Sequence, residues 1–153
     1  MNLCGQYPDE VVASSITLNV TAPLLLINAF TAQLPTNIQG SVLNISSGAA
    51  HTAYPGWGIY CATKAALDQF TRVFAAEQKH IKAVSMAPGI VDTNMQQHIR
   101  AQNKAEFPLV GRFIQIQQDG KLASATDTAK KILHHYNSPS FAEETVVDIR
   151  DLK

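Results

Sequence analysis

The sequence predicts an α/β chain built on a parallel, doubly wound sheet of three strands with flanking helices. Three observations predict it. Short apolar, β-branched runs recur at 41–45, 81–86 and 145–149, with the length and composition of buried strands. Long stretches with apolar residues at helical spacing separate them, and strands that alternate with helices pack as parallel units. Glycine and proline cluster at the joins, from Gly48 to Gly58 and at Pro88-Gly89, where the chain has to turn.

Taken in order, residues 9–34 read as a helix. Asp9 and Glu10 suit its first turn, and Leu24, Ile27 and Leu34 carry its apolar spacing. Pro23 interrupts it, because a proline has no amide for the carbonyl four residues back, here that of Asn19. Pro35 and Gly40 bracket a loop before the strand Ser41 to Ile45. A second loop, 48–58, delivers the chain to a helix from about Ile59 to Gln78, and Ile81 to Met86 is the next strand. Helices are expected at 96–103 and 124–136, the second opening on the N-cap pattern Ser124-Ala125-Thr126-Asp127. Thr145 to Ile149 closes the pattern as a strand.

Composition narrows the function. The 153 residues are one domain's worth of material, 46% hydrophobic and 16% charged, which is globular. Twelve basic and twelve acidic residues balance without clustering, so there is no electrostatic case for nucleic acid or an anionic membrane. A small-molecule partner fits better. Cys4 and Cys61 are too few for a disulfide framework and are expected as reduced thiols, which suits a cytoplasmic location. The most apolar run, Pro23 to Phe30, is short and broken by Asn28, so neither a signal peptide nor a membrane span is expected from it. Five histidines show no ligand spacing, and no metal is expected.

The chemistry concentrates in Ile59-Tyr60-Cys61-Ala62-Thr63-Lys64, with Ser47 thirteen residues before the tyrosine. Side chains at i and i+4 share a helix face, so the Lys64 ammonium can favour the ionised form of the Tyr60 phenol, whose ordinary pKa is near ~10. Ser47 can hydrogen-bond the same substrate oxygen from a second direction. The three residues suit a carbonyl that becomes an alkoxide. A half-buried tyrosine beside a solvated lysine is the plainer alternative for the pair alone.

With Asn44-Ile45-Ser46-Ser47 before the helix and Ala87-Pro88-Gly89-Ile90-Val91-Asp92-Thr93 after the next strand, the order resembles the short-chain dehydrogenase/reductase family. The runs Gly56-Trp57-Gly58-Ile59-Tyr60 and Asp92-Thr93-Asn94-Met95-Gln96 look most like its benzil reductase and sepiapterin reductase branch. The resemblance covers nearly the whole chain and implies the last three strands of a seven-stranded Rossmann sheet, one partial catalytic domain over 1–153. It implies a catalytic tetrad of Asn19, Ser47, Tyr60 and Lys64, with the Asn19 carbonyl holding a relay water; the alternative for Asn19 is the cap of a helix break. It implies that Lys64 and Tyr60 meet the nicotinamide end of NADP, or of NAD, with Pro88, Gly89, the Ile90 backbone and the Thr93 hydroxyl. Tyr54 and Trp57 either line an aromatic substrate pocket or anchor the loop. Phe107, Phe113 and Ile114 lie in a segment that in the family folds over substrate, and they either suit an apolar ketone or diketone or are ordinary core.

Residues 1–40 contain Gly5 and Gly40 but no Gly-rich turn of the kind that cradles the cofactor pyrophosphate. The expectation is that the first half of the dinucleotide-binding unit is missing from this chain. Its first strand then lacks a neighbour, and an unpaired apolar edge calls for a partner or a larger parent. The resemblance also implies a homo-oligomer through the helices that contain Asn19 and Tyr60. Two functions stay open: a carbonyl reductase, or a non-catalytic remnant that serves as a structural or dimerisation module.

Overall fold

The computed structural model describes residues 2–152. Helix α1 spans Asp9–Ile16 and α2 spans Ala22–Gln33, joined without a break by a wider π turn at Thr17–Thr21. Strand β1 (Gly40–Ile45) follows, then a single 3-10 turn at Gly48–Ala50 and the long helix α3 (Gly58–Glu77). Strand β2 (Ile81–Ala87), helices α4 (Asn94–Arg100), α5 (Val110–Gln118) and α6 (Ala125–Tyr136), and strand β3 (Val146–Asp148) complete the order.

The three strands form one parallel sheet in the order β1-β2-β3, with Ile45 beside Met86 and Ala87 beside Asp148. This is the expected doubly wound pattern. Two buried strand neighbours explain why β2 is apolar almost throughout, as a strand covered on both faces must be. On one face, Ile27 of α2 and Phe74 of α3 pack with Ile81 and Ala83. On the other, Val84 and Met86 pack with Phe141, Val147 and Ile149. Among the described strands β1 pairs with β2 alone, and Ile45 at its end is exposed.

Buried polar bonds fix α3 over the sheet. Asp68, 1% exposed, accepts from Ser85 Oγ on β2 at 2.6 Å and stands 2.8 Å from His51 Nε2, in the loop after β1. Asn44 Nδ2 of β1 donates to Thr71 Oγ1 at 2.9 Å. A buried carboxylate is tolerated only when its oxygens find such partners. Because Tyr60 and Lys64 ride on the same helix, these bonds hold them in place relative to the strand ends.

The structure extends two sequence expectations. Pro23 does not break the first helix: the ladder shifts to a π turn, in which the Ala22 amide bonds Thr17 O five residues back, and the chain continues. Asn19 therefore sits inside a widened turn that packs against α3 and caps no helix end. The joined helix, Asp9–Gln33, is long and apolar enough to cross a membrane by length and composition, which the short run 23–30 alone did not suggest. Ile27 nevertheless packs it onto the sheet and α3. Helix α5 was not anticipated, and the helix expected at 96–103 begins and ends earlier, at Asn94–Arg100. The N-cap at Ser124 forms as expected, its Oγ accepting from Asp127 N at 3.0 Å.

Candidate active site

Parallel strands end on the same side of a sheet, and their C-terminal ends carry the site here, as is usual in open α/β folds. A cleft of about 370 Å³ opens there. Ser47 lies just past β1 with an extended backbone, and its Oγ accepts from Ala49 N at 3.2 Å, which starts the 3-10 turn. Tyr60 comes from the first turn of α3 and Lys64 from the next. All three line the cleft.

Their electrostatics differ from the sequence expectation. Burial of the Tyr60 phenol pushes its pKa above the ordinary 10.0, and that effect outweighs the lowering by the nearby Ser47 hydroxyl. Lys64 Nζ is 5.8 Å from the Tyr60 ring centroid and donates to Ile45 O at 2.9 Å. Burial lowers the Lys64 pKa, with the nearby Asp68 charge opposing the shift. The expected depression of the phenol by the ammonium is therefore overturned in this arrangement. Desolvation disfavours the charged form of both groups, and the hydroxyl–hydroxyl contact remains.

The turn after β2 forms the opposite wall. Pro88, Gly89, Ile90 and Thr93 line the cleft as expected. Gly89 has φ +76°, a left-handed conformation that glycine adopts without cost, and a Cβ there would touch the Arg150 and Ile149 side chains. The Ile90 carbonyl accepts from Ala123 N at 3.0 Å, and Val91 bridges to Ala123, which fixes this wall against the segment before α6.

An aromatic cluster closes the far end. Trp57 and Phe107 stack with ring planes 5° apart and centroids 5.1 Å apart, and Phe113 leans on both. Tyr54 lies 5.1 Å from Trp57, and the Tyr60 ring meets Trp57 edge-on at 5.6 Å. Tyr54 and Trp57 line the cleft, and both also pack in the aromatic cluster that holds their loop to the body. Phe107 is buried core, Phe113 reaches the cleft, and Ile114 is partly exposed outside it. Gly56 (φ +89°) lets the loop approach so closely that a Cβ there would stand 2.7 Å from Glu106 O.

Asn19 does not line the cleft. Pro23 denies its carbonyl the usual donor, as expected from sequence. Two cleft residues escaped the sequence reading. Arg112 of α5 lies with its guanidinium 5.9 Å from the Tyr54 ring centroid. Arg150, just past β3, forks onto Asp148 with bonds of 2.8 and 2.6 Å and holds that carboxyl below its ordinary range. No local signal marks either, since parallel topology alone brings α5 and the end of β3 to Ser47.

Comparison with known proteins agrees with this geometry. The profile of the short chain dehydrogenase family matches residues 3–104. Benzil reductase ((S)-benzoin forming) of Bacillus cereus is 37% identical over 146 residues, 92% of this chain and 59% of that protein. Sepiapterin reductase of Mus musculus is 37% identical over 138 residues, 88% of this chain and 52% of its own. A solved short chain dehydrogenase/reductase of Saccharomyces cerevisiae superposes with TM-score 0.84 at 26% identity, covering 98% of this chain and 61% of that one. The chain thus spans a little over half the length of the curated relatives it matches. On its matched profile, its parallel sheet and its relatives, the chain belongs to the short chain dehydrogenase family.

Proposed function

We propose that this chain serves a carbonyl reductase that uses NADP, with NAD the other option, and acts on a ketone or diketone. The observation that carries the reading is the convergence of the Ser47, Tyr60 and Lys64 side chains on one cleft with the Pro88–Gly89 turn. The residues present fit the nicotinamide end of the cofactor. Left-handed Gly89 leaves backbone exposed at the wall, and Ile90 and Thr93 line the cleft beside it.

When bound, the nicotinamide supplies a hydride. Tyr60 gives its phenolic proton to the carbonyl oxygen, and Ser47 donates a hydrogen bond that orients that oxygen and steadies its growing charge. Lys64 would supply positive charge near the phenolate that Tyr60 becomes, and its remaining ammonium donors would hold the ribose of a bound cofactor. The Asn19 carbonyl, deprived of its donor by Pro23, anchors the water through which the proton is replaced. Tyr54, Trp57 and Phe113 bury the body of an apolar substrate. Fluorescence titration with the reduced cofactor tests the reading: enhancement with micromolar affinity supports it, and no change at millimolar cofactor removes it.

The direction of the Tyr60 shift gives a pH prediction. A phenol held above its ordinary value stays protonated through neutrality, which is the form reduction needs. Reduction should therefore hold steady across neutral pH and fail only in strong alkali, while the reverse oxidation, which needs phenolate, should climb with pH. Paired kcat/KM profiles measure this. A reduction limb that falls between about pH 6 and 8 takes Tyr60 out of the acid role.

A second reading, a non-catalytic dimerisation module, draws on the exposed apolar face of the first helix, where Leu18 and Leu26 are each 71% exposed and Leu25 is 61% exposed. A homo-oligomer built on this helix and α3 serves either reading. Sedimentation should show a dimer that Leu25→Glu splits into monomers. A monodisperse monomer before substitution removes the interface.

A further inference from the structure

Arg112 enters a cleft whose other features are aromatic. Its guanidinium packs over Tyr54, and no carboxylate forms an ion pair with it among the described residues. The second arginine of the cleft, Arg150, is already forked onto Asp148, and Lys64 is committed to Ile45 O. No aspartate or glutamate lines the cleft at all. The cleft therefore has a surplus of positive charge, and Arg112, an exposed residue of its lining beside Tyr54, is the guanidinium there that no carboxylate pairs among the described residues. A guanidinium offers a fork of donors that matches a planar two-oxygen anion.

We infer that Arg112 selects substrates in which the reducible carbonyl is carried by an aromatic keto acid, the carboxylate bonding to Arg112 while the ring lies against Tyr54 and Trp57. This rests on the carbonyl-reductase reading and narrows its substrate class: a keto acid with vicinal carbonyls is a dicarbonyl compound with one carbonyl in a carboxylate. In the reaction the keto carbon gains a hydride from the reduced nicotinamide and its oxygen gains the Tyr60 proton. A hydroxy acid and oxidised nicotinamide result, and the carboxylate is unchanged.

Trp57 is the sole tryptophan of the chain and lines the cleft, so its fluorescence reports occupancy without requiring turnover. Phenylglyoxylate and its methyl ester, which differ in charge, are titrated against the chain, against Arg112→Met and against Arg112→Lys, with far-UV circular dichroism recording that each is folded. The acid should bind at least about tenfold more tightly than the ester, as expected of a charge-assisted fork. Arg112→Met should abolish that ratio, Arg112→Lys should retain part of it, and added salt should weaken the acid alone. Equal affinity for acid and ester in the unsubstituted chain overturns the inference, as does quenching by neither. So does an unchanged ratio in Arg112→Met. Turnover separates the two readings: acid bound through Arg112 but never reduced sinks the reductase and spares the anion preference, whereas reduction of the ester alone does the reverse.

Discussion

Replacing Tyr60 with phenylalanine should lower carbonyl turnover by about 10²–10⁴-fold, the usual worth of a positioned general acid, in any form of the protein that reduces a ketone. The substitution keeps the ring, so its edge-on contact with Trp57 at 5.6 Å survives, and only the hydroxyl in the cleft beside Ser47 is lost. Cofactor affinity should change little, because the Pro88–Thr93 wall is untouched. Ser47→Ala should cost less than Tyr60→Phe, since it removes an orienting bond and leaves the proton source. Steady-state kcat and the nicotinamide fluorescence titration, run on the same preparation, check both halves. Turnover within a few-fold of the parent would leave the phenol without a catalytic part.

The largest effect on stability is expected from Phe107→Ala. Phe107 is 0% exposed, stacked on Trp57, in contact with Phe113 and backed by the close approach of Gly56. Truncating a buried phenylalanine typically costs about 3–5 kcal/mol, from lost burial and the cavity left behind. For a domain of this size that is a large share of a total stability of about 5–15 kcal/mol, and a drop in Tm of roughly 10 °C follows. The Trp57 emission should shift to the red as its stacking partner goes. A loss of less than about 2 °C would mean that the aromatic cluster is not the packed unit described above.

Much of this was legible in the sequence because the signals are local. Tyr60 and Lys64 are one helical turn apart, Ser47 ends a β-branched run, and Pro88-Gly89 punctuates a strand, so a periodic reading places each on its element. Pro23 likewise marks the Asn19 carbonyl without any knowledge of the fold. What was not legible depends on distant segments meeting. Helix α5 is only 9 residues long and carries Gly111, so neither it nor Arg112 stood out. Arg150 reaches Gly48 only because β3 lies two strands from β1: a Cβ at Gly48 would stand 3.9 Å from Arg150 Nη2. The direction of the Tyr60 shift was misjudged for the same reason, since spacing reveals a nearby cation but not how far the surrounding rings shut out water.

The wide turn at Thr17–Thr21 has a last implication for how the chain tolerates change. Such a turn is an ordinary helix into which one surplus residue has been spliced. Removing one residue would restore a regular helical phase on either side, yet Pro23 would still offer no amide to the ladder. The turn packs against α3, so its extra width sets how the first helix seats on the one that bears the Tyr60 hydroxyl.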